Sequence, residues 1–155
     1  MELEQTQQIA DLIREMLARM SVDARVDVEE GMKGKIFNIS SSDSNLLIGQ
    51  RGANLYALQI LVHSIAMRRF NLSERFNIDV DDYRRKREWF LRETAKRAIE
   101  EVKRTHHSVT LEAMPSYERR VIHAFLSEDW NVETESIGSE PNRKIIIKLK
   151  VKGEI

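Results

Sequence analysis

Apolar positions recur along the chain at two spacings, and these spacings predict its helices and strands. Helical spacing predicts helices at residues 3–20, 53–69, 82–106 and 115–126, the last with Pro115 in its first helical position. Alternation predicts strands at residues 24–28, 35–40, 76–80, 108–113, 130–138 and 143–151. A short helical turn is predicted at residues 45–48. Both halves of the chain mix helices with strands, so the expected fold class is α+β.

Composition and the order of helices and strands indicate two small domains of a globular protein. The chain has no low-complexity linker and no internal repeat, and we predict domains at residues 1–82 and 83–155. It has no cysteine, which excludes disulfides and thiolate zinc sites. No apolar run approaches the roughly 20 residues that span a bilayer, and the acidic N-terminus does not resemble a secretory signal. We therefore expect a cytoplasmic protein with no membrane partner.

Charge is unevenly distributed although the formal net charge is zero. Residues 1–30 contain 8 acidic and 3 basic residues, so the rest of the chain carries a net charge of +5. A zero total can hide a local basic face, and it is the local field that steers a polyanion. Ordinary surface variation explains the same split, so charge alone does not establish nucleic-acid binding.

Two glycines, Gly49 and Gly52, enclose Gln50 and Arg51 in the segment "NLLIGQRGANLYALQIL". Glycine permits backbone conformations that are closed to other residues and lets a ligand approach the main chain closely. The next helix begins at this loop, so its free N–H groups and the charge of Arg51 favour an anion such as a phosphate.

Residues on either side of the loop are expected to extend this site. Ile48 and Leu55 would form an apolar floor on which the bases of a sugar-phosphate strand could lie. A tight turn between two helices explains the same segment without a ligand. The segment is not a Walker A loop, because it lacks the Lys-Ser/Thr pair, and it is not a dinucleotide fingerprint, because the third glycine is absent.

The order of elements around the loop resembles that of the type II KH domain, a nucleic-acid-binding fold. The resemblance covers roughly residues 3–81 and rests on "LIGQRGANLYALQILV" with its flanking strands. It implies that the GXXG loop clamps the backbone of about four nucleotides. The site residues that it implies are Ile48, Gly49, Gln50, Arg51, Gly52 and Leu55. Arg51 supplies the basic residue that many such loops contain, whereas Gln50 is neutral.

A second motif lies in the helix that contains "MPSYERRVIHAFL". On a helical wheel, Arg119 and His123 are neighbours on one face, opposite an apolar group of Tyr117, Val121, Ala124 and Phe125. A phosphate bridging the Arg-His pair would form a two-pronged site and raise the pKa of the imidazole. A solvated polar face with a chance histidine explains the spacing without a ligand.

The Arg-x-x-x-His spacing in "ERRVIH" is similar to the signature of the R-three-H domain, a small module that binds single-stranded nucleic acid. The similarity spans roughly residues 83–150. It implies binding by Arg119 and His123, with Arg120 and Arg143 as plausible neighbours. A KH domain followed directly by this module resembles the Jag family of bacterial RNA-binding proteins, also called KhpB or SpoIIIJ-associated proteins.

The family resemblance implies a post-transcriptional RNA-binding regulator in the cytoplasm, linked to cell division, cell shape and envelope growth. Its ligand would be single-stranded RNA, with single-stranded DNA as the open alternative. A stand-alone KH protein or a second copy of the chain is the implied protein partner, and no catalytic residue, metal or cofactor is expected. Members commonly carry a further N-terminal domain, so we expect either a short member or part of a longer one.

The helix predicted at residues 82–106 is strongly basic in its first half. Residues 83–97 contain seven basic side chains: Arg84, Arg85, Lys86, Arg87, Arg92, Lys96 and Arg97. Such a helix is usually a solvated face, but its first turn could extend a nucleic-acid track. Trp89 and Trp130 are expected to be packing residues rather than platforms for base stacking.

Three functions remain open at this stage, and we expect the first. It is non-catalytic RNA binding by two phosphate-gripping sites, one per domain, that act together. The second is a protein-interaction adaptor that dimerises through its KH half without contacting RNA, which a hydrophobic patch on the KH sheet would favour. The third is an enzyme such as a nuclease with His123 as general base, for which the sequence offers no convincing second group or metal site.

Overall fold

The computed structural model describes residues 1–32 and 34–150. The chain divides into two compact units, Met1–Arg84 and Arg85–Ile155. Each unit has its own sheet and core and is described by itself. The helices are α1 (Leu3–Arg19), α2 (Ser44–Ile48), α3 (Ala53–Phe70), α4 (Tyr83–Thr105) and α5 (Ser116–Leu126). The strands are β1 (Ala24–Gly31), β2 (Gly34–Ser41), β3 (Asn77–Val80), β4 (Val109–Thr110), β5 (Val132–Ile137) and β6 (Lys144–Leu149). The α+β class is confirmed; the domain limits 1–82 and 83–155 stay a prediction.

The first unit follows the order α-β-β-α-α-β that was predicted for a type II KH domain. Its sheet has the order β1-β2-β3, in which β1 and β2 form an antiparallel hairpin that closes at the Gly31–Gly34 pair. Strand β3 runs parallel to β2, with Ile36 opposite Asn77. A parallel return needs a long crossover, and α2 with α3 supplies it. The loop between these two helices is therefore part of the crossover.

The core of the first unit holds α3 firmly against the sheet. Ile9, Ile13 and Leu17 recur at helical spacing and form the buried stripe of α1. The side chain of Gln59 on α3 pairs with the backbone near β3. Its Nε2 donates to the Phe76 carbonyl over 3.0 Å, and its Oε1 accepts from the Ile78 N–H over 2.6 Å. The start of α3, where the glycine loop lies, is thereby fixed relative to the strands.

The second unit packs α4 and α5 on an antiparallel sheet with the order β4-β6-β5. The buried stripe of α4 consists of Leu91, Ala95, Ala98 and Val102. Trp89 is 65 % exposed and Trp130 is 73 % exposed, so the expectation that both are packing residues is wrong. Trp89 precedes the first residue of the stripe by two positions, which places it about 200° away around the helix.

Smaller differences from the predicted elements occur around α5. Strand β4 has only two residues, where the sequence predicted a strand at 108–113. Pro115 occupies the N-cap with an extended backbone (φ −59°, ψ 157°), one position earlier than predicted, and its carbonyl accepts the Arg119 N–H over 3.1 Å. The last residue of the strand predicted at 143–151 lies outside the described residues. Within the described part of the chain, no helix is long and apolar enough to cross a membrane.

Candidate nucleic-acid interface

The GXXG segment is a tight left-handed turn between α2 and α3. Gly49 has φ 69°, Arg51 has φ 52° and Gly52 has φ 78°. Left-handed backbone is unstrained for glycine and costs other residues free energy, so the two glycines suit this path. Gln50 is exposed and Arg51 is half-buried, which leaves the middle of the loop accessible from solvent.

Asn54 explains why the first glycine is needed, and sequence reasoning missed this residue. Its Nδ2 donates to the Leu46 carbonyl over 2.7 Å and so joins the first turn of α3 to α2. A Cβ added to Gly49 would lie only 2.5 Å from Asn54 Cγ, well inside van der Waals contact. The sequence signal was available as a polar residue in a first helical turn, but its partner carbonyl lies eight residues earlier.

The start of α3 carries the positive end of a helix dipole. Gly52 is the N-cap of this 18-residue helix and makes no side-chain cap, while the N–H of Ala53, the first helical residue, donates to the Gln50 carbonyl. The helix dipole favours negative charge at this end. Gly52 itself is buried and carries no side chain that would obstruct an approaching ligand.

The apolar floor expected beside the loop needs correction. Leu55 is only 2 % exposed and belongs to the core of the first unit, so it is not an accessible surface for bases. Ile48 is half-buried and packs against the same core. Leu46, which sequence reasoning did not single out, is 59 % exposed on α2. Leu46 therefore supplies an exposed apolar side chain on the helix before the loop.

The orientation of α5 also differs from the prediction. Glu118, Arg119, Ile122 and Leu126 are its buried residues, whereas Tyr117 of the predicted apolar face is 37 % exposed. The helical wheel grouped the apolar residues of this helix on one face and placed its charged residues on the solvent side. The interpretation of Arg119 and His123 as a solvated polar face is therefore wrong.

Arg119 joins the beginning of α5 to two neighbouring segments. Its guanidinium donates through Nη1 to the Met114 carbonyl and through Nη2 to Glu140 Oε1, each over 2.6 Å. The arginine is 6 % exposed, while the side chain of Glu140 is 56 % exposed. In turn, the N–H of Met114 donates to the Arg143 carbonyl over 3.2 Å. Two predicted site residues, Arg119 and Arg143, are thus connected through Met114.

His123 is half-buried against the edge strand β5. Its Nδ1 lies 2.6 Å from Thr134 Oγ1, and its Nε2 lies 2.9 Å from Ser136 Oγ. Burial, and secondly the positive charge of Arg119, lower the pKa of His123 below its usual value. The neutral imidazole is favoured, with one ring nitrogen donating and the other accepting from a hydroxyl.

Glu118 is the second buried charge of α5, and Arg87 of α4 neutralises it. Arg87 Nε and Nη2 donate to the two carboxylate oxygens over 2.7 and 3.0 Å, and Tyr117 Oη donates to Oε1 over 3.2 Å. The glutamate is fully buried, and this bidentate pairing is what permits its charge there. Arg87 is therefore a structural residue rather than part of an open basic track.

The other predicted basic residues divide between protein contacts and solvent. Arg84 Nε donates to the Ile78 carbonyl over 3.1 Å. Arg120 is exposed, and its Nε lies 3.5 Å from the Ser116 carbonyl. Arg143 is half-buried, and its Nε has no hydrogen-bond partner within the described residues. In the same residues, no cluster of three or more His, Asp or Glu could hold a metal ion.

Comparison with known proteins identifies the second unit. The family model of the R-three-H domain matches residues 90–149. RNA-binding protein KhpB of Clostridium symbiosum is 42 % identical over 131 residues, which cover 84 % of this chain and 59 % of that protein. The KhpB proteins of Lactiplantibacillus plantarum and Bacillus subtilis are 33 % and 35 % identical, over 92 % and 81 % of this chain and 44 % and 61 % of their own lengths. The chain thus spans roughly half the length of the curated relatives it matches.

The lowered pKa of His123 predicts a pH-dependent stability. Between the folded pKa and the usual value of 6.5, the unfolded chain binds more protons, so the free energy of unfolding rises with pH. The contribution of His123 is complete above pH 6.5 and is lost as the pH falls below it. We therefore expect the free energy of unfolding, measured by urea denaturation, to fall less from pH 7.5 to pH 5.5 in His123→Gln than in the unmodified chain. Equal losses in both proteins would contradict this assignment.

Proposed function

The chain belongs to the KhpB family over the part that it shares with these relatives, and we propose that it binds single-stranded RNA through two sites, one in each unit. The GXXG loop of the first unit and the α5 region of the R-three-H domain are the two sites. The observation that carries this proposal is the left-handed loop at Gly49–Gly52, which sets Arg51 beside the positive end of the α3 dipole.

At the first site, we expect the loop to hold the sugar-phosphate backbone. The dipole of α3 would favour the phosphate at this end, and Arg51 and Gln50 would contribute a charge and an amide. Contacts of this kind position a strand without reading its sequence. Ile48 is half-buried and Leu46 is exposed on α2 just before the loop, and bases would rest on them rather than on the buried Leu55.

At the second site, Arg119 acts through its ion pair. Glu140 is more than half exposed, so a phosphate can replace its carboxylate on Arg119 without leaving a buried charge unpaired. His123 would then gain an anionic neighbour, which favours its protonated form. Arg120 is exposed and can add a donor, whereas the unpartnered Nε of Arg143 is buried and would have to become accessible before it met a ligand.

The two sites gain affinity because they belong to one chain. Each contact with a few nucleotides is weak, but binding at one site raises the effective concentration of the strand at the other. The role that we propose is non-catalytic, with no cofactor. The family resemblance supports a post-transcriptional regulator in the cytoplasm, linked to cell division, cell shape and envelope growth.

RNA binding is tested by fluorescence anisotropy with a mixed-sequence single-stranded RNA of about 20 nucleotides at two salt concentrations. We expect Gln50→Asp/Arg51→Asp, and separately Arg120→Ala/His123→Ala, to weaken binding about tenfold or more. The salt slope should fall by about one for each cation that contacts phosphate. Arg119→Ala is a poor probe, because Arg119 is buried and holds the Met114 carbonyl.

Matched controls separate binding from charge and folding. Arg25→Asp changes an exposed arginine on β1, and Arg104→Ala/His107→Ala removes an exposed arginine and histidine at the end of α4. Both controls should bind as the unmodified chain does, and circular dichroism should show all variants folded. If the unmodified chain shows no salt-dependent binding, the loop and the Arg-His pair are structural and the proposal is wrong.

A second candidate function, protein interaction through the KH half, is favoured by the exposed face of α3. Tyr56, Ile60, Leu61 and Met67 are 47 to 62 % exposed, and their spacing places them along one side of the helix. Exposed apolar patches of this kind mark interaction sites. The patch lies on a helix, whereas the sequence analysis looked for it on the sheet. A second copy of the chain or a stand-alone KH protein would be the partner.

Self-association is tested by sedimentation velocity of the unmodified chain over a range of concentrations. If α3 forms the contact between copies, Ile60→Asp should shift the protein to monomer, because it places a charge in an apolar interface. Leu3→Asp is the matched control, since Leu3 is 87 % exposed and lies on α1. If the chain is a monomer at all concentrations, the homodimer is excluded. The remaining test is then to mix the chain with a stand-alone KH protein at equal concentration.

A further inference from the structure

The turn between α5 and β5 borders a shallow depression on the surface of the second unit. Six residues line it: Ile99, Phe125, Glu128, Asp129, Trp130 and Asn131. Trp130 is 73 % exposed, and no basic side chain of the described residues is part of this lining. We call this feature the Trp130 depression. It contains none of the residues that we propose to bind RNA.

The turn that carries Trp130 is braced by Asp129. Asp129 Oδ1 accepts from the Asn131 N–H over 3.0 Å and from Asn131 Nδ2 over 3.2 Å. Asp129 Oδ2 accepts from Lys103 Nζ over 2.6 Å. These bonds, the one from Lys103 foremost, hold the pKa of Asp129 below its usual value. The charge of Asp129 is therefore compensated within the chain, and Trp130 is presented on a fixed turn.

Glu128 is the carboxylate of the depression that remains open. It is exposed, and its carboxylate forms no hydrogen bond or ion pair with the residues that the structure describes. Lys103 is bound to Asp129, and Arg120 lines the adjoining cleft, eight residues earlier in the chain, without an ion pair to Glu128. The depression thus combines an uncompensated negative charge with an exposed aromatic ring, and this combination favours a cation.

Arg92 of α4 shows how the same unit accommodates a guanidinium group. Its Nη2 donates to Glu88 Oε1 over 2.7 Å, and its Cζ lies 5.7 Å from the centre of the Phe125 ring. A guanidinium is planar, so it can pair with a carboxylate through its edge while its face lies on a ring, whereas an ammonium group is a point charge. This contact lies in the cleft that adjoins the Trp130 depression, and Phe125 lines both.

Arg87 repeats this arrangement elsewhere on α4. It is bound to the buried Glu118, and its Cζ lies 5.2 Å from the centre of the Phe90 ring. Glu128 and Trp130 offer the same two partners, a carboxylate and a ring, and no arginine of the described residues lines the depression. The Trp130 depression therefore has the composition of an arginine site without its arginine.

We propose that the Trp130 depression binds an arginine side chain of a partner protein. The guanidinium would pair with Glu128 and lie on the Trp130 ring, with Ile99 and Phe125 as apolar walls. A nucleic acid would bring its phosphates against the Glu128 carboxylate, and an apolar partner would desolvate that carboxylate without pairing it. The proposal goes beyond RNA binding and does not rest on it.

The experiment is a titration followed in the ¹H–¹⁵N correlation spectrum at the amide signals of residues 128–131. The probe is a tripeptide with arginine between two glycines, blocked at both ends. The same peptide with citrulline has nearly the same shape but no charge, and spermidine is a cation without a planar group. We expect the arginine peptide to move these signals in a saturable way, the citrulline peptide to leave them unmoved, and spermidine to bind more weakly than arginine.

Variants identify the two groups that hold the probe. Glu128→Gln and Trp130→Ala should each weaken binding of the arginine peptide about two- to fivefold, the range for loss of one surface ion pair or one exposed cation–π contact. Glu29→Gln on β1 and Trp89→Ala on α4 change an exposed glutamate and an exposed tryptophan outside the depression and should bind the peptide normally.

Four results would overturn the proposal. They are unmoved signals with the arginine peptide, equal binding of the citrulline peptide or of spermidine, unchanged affinity in Glu128→Gln, and movement of residues 128–131 by single-stranded RNA but not by the peptide. The last result would assign the depression to the nucleic acid. RNA binding by the loop and the Arg-His pair is measured at other residues, so either proposal can fail while the other stands.

Discussion

Two adjacent charges buried at the beginning of α5 constrain the whole second unit. Glu118 and Arg119 are almost completely inaccessible, and a buried charge without a partner costs several kcal/mol. Arg87 of α4 must therefore face Glu118, while Met114 and Glu140 must reach Arg119. These demands fix α4, the segment before α5 and the turn after β5 around one point. The residues of the second unit that we propose to bind RNA depend on that arrangement.

The two proposed sites would hold a phosphate by different physical means. In the first unit, the left-handed glycine loop sets Arg51 beside the N-terminus of α3, and Asn54 braces the turn against α2. In the second, side chains would supply the donors, and an internal carboxylate, Glu140, occupies Arg119. The side-chain site would therefore exchange one anion for another. Salt should weaken binding at both sites, because the ligand at each is a phosphate.

Periodicity along the chain was sufficient to predict the order of the helices and strands and the position of the glycine loop. Helical spacing alone located α1 and α4 along the chain, so those two predictions needed no distant information. The face of α5 could not be found in this way, because the partners of Glu118 and Arg119 lie 31 and 21 residues away in sequence. Trp89 was misplaced because a large aromatic residue was assumed to be buried, although its position lies opposite the stripe of α4. Leu55 was wrongly expected to be accessible, because proximity to the loop in sequence does not make a core leucine accessible.

A ¹H–¹⁵N correlation spectrum, titrated with a single-stranded RNA of about 20 nucleotides, measures contact at both units most directly. Bipartite RNA binding predicts that the amide signals of residues 49–53 and those of α5 around His123 move together and saturate at the same RNA concentration. The exposed controls at Arg25 and Arg104 should not move. Signals that stay unmoved at both sites, or changes confined to the exposed face of α3, would contradict RNA binding by this chain through the loop and the Arg-His pair.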